Sequence, residues 1–126
     1  MSNTVVRSDN APKAIGPYSS AMQVGANMLF VSGQIPVNPQ TGDMPSDIKE
    51  QAKQSLTNLK ALVEAGGFTM ADVVKTTVFI TDINDFAAVN EVYATFFAEP
   101  YPTRSCVAVK ELRKAAKVEI ECICAK

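Results

Sequence analysis

Apolar and polar positions alternate in two segments near the end of this chain, and the alternation predicts two β-strands there. In residues 103–109, Val107 and Val109 fall on one side, and Arg104, Cys106 and Ala108 on the other. In 118–124, Val118, Ile120, Cys122 and Cys124 share one side, with Glu119 and Glu121 opposite. A hairpin across 110–116 with a common apolar face pairs odd positions with even ones, because a one-residue slip turns a strand over. That register predicts Arg104, Cys106, Glu119 and Glu121 on one side of the sheet: a fixed cation, a thiol and two carboxylates together.

Earlier segments extend the pattern. Residues 4–8 predict a short edge strand, and 9–17, with Pro12, Gly16 and Pro17, a loop. Residues 20–24 and 28–32 predict strands joined by a tight turn at Gly25-Ala26-Asn27. Residues 33–45, with Pro36, Pro39, Gly42 and Pro45, predict a long loop, a type of segment that is often functional. Ser46 is the expected N-cap of a helix carrying Ile48, Ala52, Leu56, Leu59 and Val63, stopped by Gly66-Gly67. Thr69-x-x-Asp72 resembles a local cap before a β-branched strand at 73–81. After a turn at 82–85, Phe86, Val89, Tyr93 and Phe96 or Phe97 predict a second amphipathic helix that ends before Pro100. The order β-β-β-α-β-α-β-β predicts an α+β fold of two layers, a mixed sheet with two helices on one face. The other face is left to solvent or to another subunit.

At 126 residues and 47% hydrophobic content, the chain is expected to form one domain over 1–126 with a substantial core. Net charge −1 and a pI near 5.4 argue against nucleic-acid and membrane partners. Histidine is absent, which excludes serine–histidine and cysteine–histidine nucleophiles and any histidine metal ligand. Acid–base work then falls to carboxylates, Tyr, Lys, Cys or water. Three cysteines without a C-x-x-C pair suggest neither a disulfide framework nor a zinc site. The first seven residues lack the apolar core of a signal peptide, and no apolar run has transmembrane length, so a cytoplasmic location is expected.

Each candidate residue has a plain alternative. Arg104 suits a bidentate carboxylate clamp, but also an exposed ion pair. Glu119 and Glu121 suit proton transfer or a solvated strand face. Cys106 suits a site thiol or a small buried filler. Tyr18, after the turn-forming Gly16-Pro17, suits chemistry or simple packing. Ser32-Gly33 suits backbone contact with a ligand or only a turn.

Taken in order, Gly16-Pro17-Tyr18-Ser19, Val31-Ser32-Gly33-Gln34-Ile35-Pro36, Asn90-x-x-Tyr93-x-x-Phe96-Phe97 and Pro102-Thr103-Arg104-Ser105-Cys106 through Val118-Glu119-Ile120 resemble the RidA/YjgF family of reactive-intermediate deaminases. One departure is Leu112-Arg113, where members often carry Leu-Pro. The resemblance implies a fold like the small trimeric chorismate mutases, a homotrimer with a central barrel and ligand clefts between subunits. It implies hydrolysis of 2-imino acids and their enamine tautomers, such as 2-aminoacrylate and 2-aminocrotonate, to 2-keto acids and ammonia, with no cofactor and no metal. The partner would be a small carboxylate substrate. Arg104 would hold its carboxylate and Glu119 would activate water, with Cys106 nearby. Tyr18 would close the cleft, and Ser32 and Gly33 would line it. Two other classes stand beside this one: an RNA-cleaving translation inhibitor, and a non-catalytic 2-ketoacid sensor.

Overall fold

The computed structural model, which describes residues 3–126, runs β1 (Asn3–Val6), β2 (Ala21–Val24), β3 (Met28–Gln34), α1 (Ile48–Ala65), β4 (Val73–Ile80), α2 (Phe86–Tyr93), β5 (Thr103–Ala108) and β6 (Val118–Ala125). The element order is the expected one. Helix α1 starts one residue later than expected: Asp47, not Ser46, is the N-cap, and its Oδ2 accepts from the Glu50 amide at 3.0 Å. Gly66 ends α1, and Gly67 takes the left-handed φ of 82° that turns the chain away. Thr69 and Asp72 form the expected capping box, here opening a short 3-10 turn before β4. Strand β3 runs on to Gln34, so the following loop is shorter than expected.

All six strands form one mixed sheet in the order β1-β2-β3-β6-β4-β5. Every pairing is antiparallel except β4 with β5, which are parallel. The expected hairpin between the last two strands does not form. β5 returns from α2 and so lies parallel to β4, while β6 inserts between β3 and β4. β6 is the central strand, and its alternation is complete: Val118, Ile120, Cys122 and Cys124 are buried, and the residues between them are half-exposed.

Helices α1 and α2 cover one face. Ala52, Leu56, Leu59, Leu62 and Val63 of α1 are fully buried against Leu29, Ile80, Val118 and Ile120, with Val89 and Tyr93 of α2 beside them. Truncating one such leucine to alanine costs about 2–5 kcal/mol in well-packed cores. Among the described residues no helix covers the opposite face. Register places Phe30, Ile123, Phe79, Val107, Glu119 and Glu121 on it.

A second stripe of α1, unread in the sequence because it is polar, is buried as well: Gln51, Ser55 and Asn58. These side chains hold the loop after β3. Ser55 Oγ donates to the Gln34 carbonyl at 2.5 Å. Asn58 Nδ2 donates to the carbonyls of Ile35 at 3.1 Å and Val37 at 2.8 Å. Gln51 Nε2 donates to the Pro45 carbonyl at 2.7 Å, and Gln51 Oε1 accepts from the Lys117 amide at 2.8 Å. Carbonyls at the end of β3 and along the following loop thus accept hydrogen bonds from helix side chains. Leaving a buried carbonyl unpaired costs about 1–3 kcal/mol. Asn58→Ala should therefore lower the unfolding free energy in urea by that order, while Thr57→Ala, on the exposed side of the same helix, should barely change it. Equal losses in the two variants would contradict the clamp.

Candidate active site

The chemistry-bearing residues form two groups on opposite faces of the sheet. The first lies on β5 and α2. Arg104 aligns with Thr76 of β4, whose side chain points under α2, so Arg104 stands on the helix-covered face. Its Nη1 donates to Asn90 Oδ1 at 2.6 Å. Its guanidinium carbon sits 4.8 Å from the Tyr93 ring centroid and 5.6 Å from that of Phe86. Tyr93 is fixed in turn by a 2.8 Å hydrogen bond between its hydroxyl and Thr76 Oγ1, and by packing on Phe97. Among the described residues no carboxylate lies within ion-pairing reach of Arg104; the ion pair present is Lys49–Glu91. The surface ion-pair reading of Arg104 is therefore set aside. Its fork is oriented by an amide and two rings while its charge stays unpaired, beside an open hollow lined also by Tyr101 and Pro102. Cys106, two residues on, is half-buried against the core. Burial pushes its thiol pKa up, and nearby Arg104 opposes this only in part.

The second group lies on the helix-free face and the adjoining loops. Glu119 of β6 pairs with Phe79 on one side and packs on Gly33 on the other. A Cβ at position 33 would overlap the Glu119 carboxylate, so only glycine lets the two strands place that group there. The bulge between Val31 and Gln34 carries Ser32 and Gly33. Ser32 Oγ donates to the Ser19 carbonyl at 2.7 Å, and the Ser32 amide donates to the Ser20 carbonyl at 2.9 Å. These bonds bring the 16–20 segment, and with it the exposed Tyr18, alongside Gly33. Arg113 Nη2 approaches the Tyr18 hydroxyl at 3.5 Å. Burial raises the Glu119 pKa; Arg113 opposes the rise, and Glu121 adds to it.

Tyr18, Ser32, Gly33 and Glu119 thus come together, as do Arg104 and Cys106, but the two groups do not meet within one chain. The expected common side for Arg104, Cys106, Glu119 and Glu121 is corrected. β5 takes its phase from β4 rather than β6, which turns Arg104 and Cys106 to the helix side and leaves Val107 44% exposed on the other. The thiol pKa rises from burial, not from neighbouring carboxylates. Asn90 and Phe86 were not read as partners of Arg104, although Asn90 and Tyr93 are spaced i, i+3 and so share a helix face. In the sequence Arg113 stands out only as a departure from the family's Leu-Pro pattern, with no role at the site. Among the described residues no cluster of His, Cys, Asp or Glu is arranged to hold a metal, and no helix is long and apolar enough to cross a membrane.

The model of the endoribonuclease L-PSP family matches residues 8–126. The 2-iminobutanoate/2-iminopropanoate deaminase of Escherichia coli K12 is 55% identical over 126 residues, covering 98% of this chain and 97% of that one. The crystal structure of E. coli TdcF with bound serine superposes with a TM-score of 0.93 at 52% identity, covering 98% of both chains. RidA from the Antarctic bacterium Psychrobacter sp. superposes with a TM-score of 0.94 at 43% identity, covering 98% of this chain and 99% of that one. The chain belongs to this family, the RidA/YjgF family.

The raised pKa of Glu119 has a signed consequence for stability. A carboxyl whose pKa is higher folded than unfolded stabilises the fold when protonated, and that contribution is lost as pH rises through the folded value. Glu119→Gln should therefore raise the melting temperature at pH 8, with the gain fading as pH falls toward the ordinary carboxyl value of 4.5. Melting curves that separate further at low pH would contradict a desolvated Glu119.

Proposed function

We propose that this protein is a hydrolase of 2-imino acids and their enamine tautomers, releasing 2-keto acids and ammonia, at clefts formed between copies of the chain. The observation that carries the proposal is the split site. The Arg104 guanidinium and the Glu119 carboxylate, each held in place, lie on opposite faces of one sheet. Neither group is a complete site alone, and the uncovered face carries Phe30, Phe79 and Val107, which favour burial against another copy. A homotrimer, as the family resemblance implies, would bring Arg104 of one copy to Glu119 of the next. The bound serine of the E. coli relative, a small amino acid, is in keeping with such a ligand.

In this mechanism Arg104 binds the substrate carboxylate bidentately, and Asn90, Tyr93 and Phe86 orient its guanidinium. Tyr18, Ser32 and Gly33 line the opposing wall. Glu119 takes a proton from water as the water oxygen bonds to the C=N carbon and the C=N π electrons pass to the nitrogen, and Glu119 hands that proton to the nitrogen to give a carbinolamine. Glu119 then takes the carbinolamine hydroxyl proton and passes it to the nitrogen. The C–N bond breaks, ammonia leaves and the C=O forms. A carboxyl with a raised pKa suits both halves of this relay. The half-buried thiol of Cys106, its pKa pushed up, is poorly suited to nucleophilic attack. No cofactor or metal enters the scheme. A single cytoplasmic domain clearing reactive metabolites is the cellular role that fits.

The family description also favours a second function, RNA cleavage. Net charge −1 and the absence of histidine weigh against it.

Arg104→Ala should lose activity by the factor that corresponds to about 2–5 kcal/mol, the usual cost of removing one partner of a buried charge pair. Arg104→Lys should lose most of it, and Glu119→Gln should be nearly inactive, while Cys106→Ser keeps substantial activity. Unfolding and refolding Arg104→Ala together with Glu119→Gln should restore turnover, because mixed assemblies contain clefts with both native residues. The readout is 2-ketoacid release from enzymatically generated 2-aminoacrylate, with added RNA as a competitor. No recovery in the mixture would sink the shared cleft, and inhibition by RNA would favour the second function.

A further inference from the structure

We propose that the cavity beside Glu119 is a subsite for a second carboxylate, carried on the substrate's side chain, and that Arg113 selects for it. The inference rests on the deaminase function above and extends it to a substrate class, dicarboxylic 2-imino acids. The cavity measures about 190 Å³, well beyond the roughly 10–15 Å³ that holds one water. Its wall includes Lys13, Arg113 and Lys114, and no Asp or Glu side chain. Three cations in one concavity repel each other, and an anion entering it relieves that repulsion. Arg113 reaches the Tyr18 hydroxyl only at 3.5 Å and feels Glu119 only at longer range, with no carboxylate within ion-pairing reach among the described residues, so its planar fork has room to take a carboxylate.

The placement of these cations is built into the fold. Lys114 (φ 58°, ψ 26°) and Ala115 (φ 57°) adopt consecutive left-handed conformations, which are unfavourable for side-chain-bearing residues. Such a turn persists where its surroundings hold it. Here the Ala116 amide donates to the Arg113 carbonyl at 3.1 Å, and Ala116 is buried with Ile35 and Val37. Gln51 binds the Lys117 amide on the far side. The turn carries Arg113 and Lys114 over the cavity, whose opposite wall is the loop clamped by α1.

Position links the cavity to the reaction. It shares Tyr18 and Gly33 with the Glu119 group. A substrate whose C=N carbon lies at Glu119, and whose 2-carboxylate lies on Arg104 of a neighbouring copy, has only its side chain left to place. The adjoining space is this cationic one.

Calorimetric titration with 2-oxoglutarate and with 2-oxobutanoate tests the subsite without requiring turnover. In Arg113→Ala, affinity for 2-oxoglutarate should fall at least tenfold more than affinity for 2-oxobutanoate. Lys110→Ala, an exposed cation on the same connection but outside the cavity, should change neither. If Arg113→Ala shifts the two affinities by factors within about twofold of each other, the subsite is refuted. Rates on imino acids generated from glutamate and alanine by an amino-acid oxidase separate the two levels. Absence of all turnover, with Arg113-dependent binding of 2-oxoglutarate, sinks the deaminase function and leaves the subsite standing. Turnover with selectivity unaltered in Arg113→Ala sinks the subsite alone.

Discussion

β6 is hydrogen-bonded along both edges, to β3 on one side and β4 on the other, and this pairing decides where the reactive groups lie. A strand locked on both edges cannot slip, and a one-residue slip would exchange its two faces. Val118, Ile120, Cys122 and Cys124 therefore stay in the core, and Glu119 and Glu121 stay on the helix-free side. β4, paired to β6, passes the same phase to β5 through their parallel register. Arg104 and Cys106 are thereby committed to the face opposite Glu119.

The second organising device is the polar stripe of α1. A helix in such a fold usually offers its sheet an apolar face and solvent a polar one. Here Gln51, Ser55 and Asn58 are buried because the loop after β3 supplies carbonyls that need donors. One helix thus has two roles: its leucines build the core, and its amides fix the loop that walls the cavity near Glu119. Asn58 ties the site's shape to the helix packing, since the same buried amide side chain holds the carbonyls of Ile35 and Val37.

Much of this was legible in the sequence, for reasons that differ by element. The six strands and two helices follow from periods of two and 3.6 and from their caps and glycines, all of which are local. The pairing of Tyr18, Ser32 and Gly33 with Glu119 was accessible through family resemblance, but the requirement for glycine at 33 came only with the fold. The hairpin expectation failed because strand order is not local. Alternation in 103–109 gives a period without a sign, and Val107 looked like core where it is an exposed residue of an edge strand. Arg113 stood out in the sequence only as a departure from Leu-Pro, and its role went unread for the same reason: it depends on a left-handed turn two residues long and on a loop nearly eighty residues earlier in the chain.

Cys106 presents a different kind of consequence. Thiol reactivity belongs to the thiolate, and burial keeps this group protonated. On the proposed function the cleft handles electrophilic C=N and C=C bonds, the partners that thiolates capture most readily. A protonated, half-buried sulfur in that position is a form of chemical insulation. It fills space beside the guanidinium without becoming a trap for the intermediate, so the protein would meet each reactive molecule without being alkylated by it or climbing the oxidation ladder that exposed thiolates follow.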